Sequence, residues 1–132
     1  MLDKQEVLEE LNLFVVRYNL DKSDIQVLGG AALVIRGLRE HAVDLDLYLC
    51  KEECQRLLST GDFEEKIVES KPDVVWLVSE SIDIRNTHYV CDVLVDGFPI
   101  QSLESILSLK LKLNRDKDKN DVRIIQAALK RS

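Results

Sequence analysis

Hydrophobic residues at three- and four-residue spacing open the chain. Val7, Leu8, Leu11, Phe14, Val15 and Tyr18 line one face of a helix predicted over residues 2–18, with Asp3 placed to cap it. The "NLDKSD" run ends that period in a turn. "IQVL" then reads as a short strand running into Gly29-Gly30, and "AALVIR" as a short helix closed by Gly37. Over residues 42–49 the period changes to two: Val43, Leu45, Leu47 and Leu49 alternate with Asp44, Asp46 and Tyr48, the pattern of a strand with one face in a core. "KEECQRLLST" is an amphipathic helix stopped by Gly61. Beyond it, "EKIVES", "DVVWLV", "SIDIRN" and "YVCDVLVDG" predict three or four strands, divided at Pro72-Asp73, Asn86 and Asp96-Gly97. "FPIQSL" is extended and leads into a helix capped by Ser102 in preference to Ser105. A last helix starts near Asp118 and carries Val122, Ile125, Ala128 and Leu129 on one face. This order predicts an α+β fold, helices packed on a mixed sheet, as one domain over residues 1–132.

Composition narrows the classes of function. A chain of 132 residues buries about two thirds of its unfolded surface without disulfides or metal staples. A net charge of −6 argues against general binding to nucleic acid or to membrane surfaces, although a local basic patch remains compatible with a nucleotide. The start of the chain is acidic and amphipathic, unlike a signal peptide, and no apolar run reaches the length of a membrane span. A cytoplasmic protein is expected. Three cysteines with no Cys-x-x-Cys pair indicate neither a disulfide framework nor a zinc site; Cys50 and Cys54 read as small buried hydrophobes.

The alternation that makes residues 42–49 a strand also sets Asp44 and Asp46 side by side on its polar face. Two carboxylates about 6 Å apart repel by roughly 3 kcal/mol at an effective dielectric near 20. A bound cation relieves that repulsion, and Mg²⁺ prefers oxygen ligands and bridges to triphosphate oxygens. Just upstream, a strand ends at Gly29-Gly30 where a helix begins, a junction that presents backbone amides to an anion with no side chain in the way. Alone, the glycine pair reads as a tight turn and the Asp-x-Asp as a solvated sheet face. An anion cradle followed by a cation site, in that order and at that spacing, favours nucleotide chemistry.

The stretch "GGAALVIRGLREHAVDLDLYL" resembles the signature of the DNA polymerase β-like nucleotidyltransferase superfamily, in which a Gly-Gly or Gly-Ser pair precedes an Asp-x-Asp on the next strand. It is more similar to small prokaryotic members, including those of toxin–antitoxin and abortive-infection systems. "KLKLNRDKDKNDVRII" looks like their C-terminal pattern, with Lys110, Arg115, Lys117, Asp118 and Asp121 at the matching positions. The resemblance implies that Gly29 and Gly30 contact nucleotide phosphates, that Asp44 and Asp46 hold Mg²⁺ or Mn²⁺, and that Lys110 neutralises the triphosphate. It implies a third carboxylate from a later strand, as metal ligand or base: Asp83, between Ile82 and Ile84, is favoured over Asp92 in "VCDVLV". The implied reaction moves a nucleoside monophosphate from a nucleoside triphosphate to an acceptor hydroxyl on a protein, an RNA or a small molecule. A second copy of the chain or a protein partner would complete the cleft.

Several readings compete. Ala42 stands where many of these relatives carry Thr or Ser, which favours an alternative, a catalytically degenerate binding or partner-interaction module. Arg115 reads equally as a nucleotide contact or as an ion pair to Asp118 or Asp121. Lys117 and Lys119 read as a solvated helix start, Arg36 and Arg39 as surface residues near the cradle, and Trp76 as core. His41 and His88 are given no role.

Overall fold

The computed structural model describes residues 1–131. Helix α1 (Lys4–Tyr18) starts at a capping box: Asp3 accepts from the Glu6 amide, and the Glu6 side chain accepts from the Asp3 amide. Its inner stripe, Val7, Leu11, Phe14 and Tyr18, is buried. A single 3₁₀ turn at Lys22–Asp24 then leads to strand β1 (Gln26–Leu28), which passes directly into helix α2 (Gly29–Ile35). Strand β2 (Leu45–Tyr48) and helix α3 (Lys51–Leu58) follow. The remaining elements are β3 (Glu64–Lys66), β4 (Trp76–Val78), β5 (Ile82–Arg85), β6 (Cys91–Val95), β7 (Phe98–Gln101), α4 (Leu103–Leu113) and α5 (Lys119–Arg131). The fold is α+β, as the hydrophobic pattern predicts.

The strands form one mixed sheet in the order β3-β4-β5-β2-β1-β7-β6. Strand β2 lies antiparallel to β1 and parallel to β5, and β1 lies parallel to β7. In-register partners share a face, so the strands sort into two sets. Val27, Leu45, Leu47, Leu77, Ile84 and Ile100 point into the core and are at most 1% exposed, packed with Val7, Leu11, Phe14 and the apolar residues of α2. The opposite face carries Asp46, Tyr48, Trp76, Asp83 and Arg85, all half-buried or exposed. Helices α4 and α5 form a hairpin whose Ile106 and Ile125 join the same core. Ser102 caps α4 through its hydroxyl, which accepts from the Ser105 amide.

Two local expectations change. The strand predicted over residues 42–49 is shorter: Ala42 leaves it to pair with Leu2 in an isolated bridge, and Asp44 lies in the bend before β2. Trp76 is not a core residue. The run Val74-Val75-Trp76-Leu77-Val78 has no alternation to read, and β4 turns Leu77 inward and the indole to the open face. The last helix begins at Lys119, next to its expected start, after a 3₁₀ turn over residues 116–118 that engages Asp118 in ion pairs.

Residues 86–90 have no strand of their own; backbone bonds tie Asn86 to Val75 and Val90 to Ser102, and one buried side chain holds the middle of the segment. The buried Gln26 amide accepts from the Tyr89 amide at 2.9 Å and donates to the Tyr89 carbonyl at 2.7 Å, and its Nε2 lies 3.0 Å from His88 Nε2. The His88 ring in turn meets the Tyr48 ring edge-on, 5.0 Å between centroids. Replacing Gln26 by Ala leaves two backbone groups without partners, at about 1–3 kcal/mol. Urea denaturation of Gln26→Ala is expected to show that loss, and hydrogen exchange at the Tyr89 amide to accelerate.

Candidate active site

Strand parity builds the site. Asp46 and Asp83 are in-register partners on neighbouring parallel strands, so both carboxylates leave the same face of the sheet. Asp44, exposed in the bend before β2, lies near enough for its charge to act on Asp46. Burial is the largest influence on Asp46, followed by the charges of Asp83 and Asp44. Together they push its carboxyl from 3.8 up to about 6, while Arg85 and Lys110 pull weakly the other way.

Asp83 is held in place. Trp76 Nε1 donates to its Oδ1 at 3.0 Å, Arg85 Nε reaches the same oxygen at 3.4 Å, and the Arg85 guanidinium lies over the Trp76 ring, 4.2 Å from its centroid. Trp76 and Arg85 thus support the third carboxylate, a role the sequence reading did not assign to either. Asp92 sits elsewhere. It lies on β6, at the sheet edge, paired with Arg36, whose guanidinium also donates to the carbonyls of Gln101 and Ile100. The topology therefore brings Asp83, not Asp92, beside Asp46.

Gly29 and Gly30 lie against the carboxylates and their counter-charges. Gly29 has φ +54°, and a methyl group built there would stand 3.1 Å from Asp46 Oδ2; at Gly30 it would stand 2.9 Å from Arg39 Nη1. A side chain at Gly30 would displace the flexible end of Arg39 and one at Gly29 would press on Asp46, while the left-handed backbone at Gly29 strains any other residue. The expectation of open amides at this junction is only partly met. The Gly29 amide already donates to Gln101 Oε1 at 3.0 Å, a partner remote in sequence.

The cations are organised by the helical hairpin. Lys110, nine-tenths buried, places its ammonium 2.9 Å from Asp118 and 3.3 Å from Asp121. Arg115 pairs with Asp118 at 2.6 Å, so of its two readings the structure contains the ion pair. Arg39 pairs with Asp121 at 3.2 Å while lying over Gly30. Burial raises the Asp118 carboxyl, but the hydrogen bonds and charges of Lys110 and Arg115 outweigh it and hold it below the ordinary range. Three cations share two carboxylates in this network, leaving one positive charge beside the acidic face.

The donor set of Asp44, Asp46 and Asp83 is all oxygen, which suits Mg²⁺ or Mn²⁺. Among the described residues, no three His, Cys, Asp or Glu side chains converge tightly enough to form a ready-made metal cage. A cavity of about 620 Å³, lined by Gln26, His88, Tyr89, Val90, Cys91 and Ser105, opens nearby; Gln26 is the register partner of Tyr48, two residues along β2 from Asp46. Among the described residues, no helix is long and apolar enough to cross a membrane. Comparison with protein-family models found no match, and none was found among curated proteins.

The raised carboxyl of Asp46 has a consequence for stability. Its folded value, about 6, lies above its ordinary 3.8, so ionisation works against the fold. Well below pH 3.8 both states are protonated and the penalty vanishes; it grows between about pH 4 and pH 6 and is complete above that. In metal-free buffer, Asp46→Asn is expected to raise unfolding free energy by about 1–3 kcal/mol at pH 8 and by close to nothing at pH 3. Urea titrations at the two pH values check this.

Proposed function

We propose that the chain is a metal-dependent nucleotidyltransferase of the DNA polymerase β-like kind, acting in the cytoplasm. One observation carries the reading: Asp46 and Asp83 are apposed in register, with Asp44 beside them, at the mouth of a Gly-Gly turn that Asp46 itself touches. An acidic cluster that costs stability calls for a cation, and a glycine junction in contact with it admits phosphate oxygens. Asp44 and Asp46 would hold Mg²⁺ or Mn²⁺, which would supply charge stabilisation for the α-phosphoryl oxygens and the leaving pyrophosphate, leaving Asp83 as the base.

The chain's own residues do the rest by positioning. Gly29 and Gly30 let the triphosphate approach the backbone. Lys110 and Arg39 set positive charge beside it, held by Asp121. The acceptor hydroxyl gives its proton to Oδ2 of Asp83, the oxygen that Trp76 and Arg85 do not bind. Its oxygen then bonds to the α-phosphorus as the bond to pyrophosphate breaks.

A second reading has its own support. Ala42 is buried, both of its backbone groups are tied to Leu2, and it carries no hydroxyl toward the site. With the Gly29 amide also occupied, this favours a degenerate module that works through a protein partner or a second copy of the chain, as in a toxin–antitoxin pair.

A thermal-shift titration separates the two. With Mg²⁺ or Mn²⁺ and a nucleoside triphosphate at about a hundred times Kd, an active site gains about 2.7 kcal/mol, roughly 10 °C for a chain of this size. Asp44→Ala/Asp46→Ala is expected to lose that gain. No shift with any nucleotide would sink the transferase reading and favour the partner module.

A further inference from the structure

The charge of this chain is segregated. Residues 110–132 carry eight Lys and Arg against three Asp, a net +5, whereas residues 1–109 carry ten against 21 acidic residues, a net −11. The overall −6 conceals a basic hairpin on an acidic body.

The basic side chains converge. A cavity of about 310 Å³ between α4 and α5 is lined by Lys110, Arg115, Lys119 and Arg123, with Asn114 and two apolar residues, and no carboxylate lines it. Asp116, Asp118 and Asp121 pair with Lys119, Arg115 and Lys110 without lining it themselves. Arg123 makes no ion pair among the described residues. From the cavity the positive charge continues along α5: Lys119, Arg123 and Lys130 are exposed and lie within about 40° of one another around the helix axis, with Gln126 between. That stripe runs about 16 Å, longer than a triphosphate reaches. Lys110, which also lines the cavity, exerts its charge on Asp46.

We propose that the acceptor is a nucleic-acid strand whose phosphodiester backbone lies in the α4–α5 cavity and along the Lys119–Arg123–Lys130 stripe, with its end directed to the carboxylates. Naming it an acceptor rests on the transferase reading; the binding itself does not. Four cations around a cavity that no carboxylate lines, with Arg123 and Lys130 outside every ion pair among the described residues, match a phosphate backbone, and the acidic body repels the strand elsewhere. No aromatic side chain lines the cavity, so bases are not stacked there and binding is indifferent to sequence.

The test is fluorescence anisotropy with a 5′-fluorescein 12-nucleotide single-stranded RNA of mixed sequence, in EDTA and without nucleotide. Its failure is thereby separate from failure of the metal and nucleotide titration. Binding with Kd about 1–100 μM at 50 mM salt is expected. If three phosphates are neutralised, affinity falls about 20-fold between 50 and 200 mM salt. Lys119→Gln/Arg123→Gln should weaken binding about tenfold or more and flatten the salt dependence without lowering the melting temperature. Arg123→Gln alone serves if the double variant does not fold, and Asp46→Asn should bind at least as well as the wild type. Absence of binding at 50 mM salt, or binding that ignores Lys119 and Arg123, would overturn the proposal. So would inorganic triphosphate binding with that same dependence while the RNA does not, since the cavity would then serve the nucleotide's own phosphates.

Discussion

Strand β2 meets two opposed demands because side chains along a strand alternate. Leu45 and Leu47 are fully buried in the core, and the same backbone sends Asp46 and Tyr48 to the open face. A slip of one residue would bury a carboxylate and expose two leucines. The neighbouring strands repeat that phase: Ile84 is inward between Asp83 and Arg85, and Leu77 is inward between Trp76 and Val78. A single hydrophobic phase, copied across three strands, aligns the polar residues into a row and puts two aspartates opposite each other. The acidic face is therefore a by-product of core packing as much as a feature of its own.

The hairpin of α4 and α5 is tied to the core by apolar contact and to the turn after α2 by charge. A lysine as buried as Lys110 is tolerable only with partners that satisfy its ammonium, and Asp118 and Asp121 supply them. Because Asp121 also takes Arg39, and Arg39 covers Gly30, the orientation of the C-terminal helices is tied to the turn at the start of α2. Shape fixes the sheet; a shared aspartate aligns the hairpin to it.

How much could be read from the chain follows from how local each signal is. The α+β class, the helices and the pairing of Asp44 with Asp46 are expressed in spacing within a few residues, and so is the Arg115–Asp118 contact. Asp83 could be favoured because Ile82 and Ile84 flank it, but its position beside Asp46 depends on a parallel register between distant strands. Trp76 was opaque for a different reason: its apolar neighbours carry no period, so nothing marked which face the indole takes. The Gln101 bond to Gly29 and the Lys110–Asp121 pair join elements that meet only in three dimensions. Arg39 sat in plain view, but its contact with Gly30 depends on how the turn after α2 folds back.

The parallel pairing of β2 with β5 also bears on how the chain folds. All of α3, β3 and β4 intervenes between Asp46 and Asp83, so the two aspartates meet only after a long loop has closed around that segment. Until that loop closes, the two carboxylates are apart and solvated, free of mutual repulsion. The ladder that sets Asp46 beside Asp83 also sets Leu45 beside Ile82 and Leu47 beside Ile84. Repulsion on one face of the sheet and apolar burial on the other therefore arise in the same closure, and the second offsets the first.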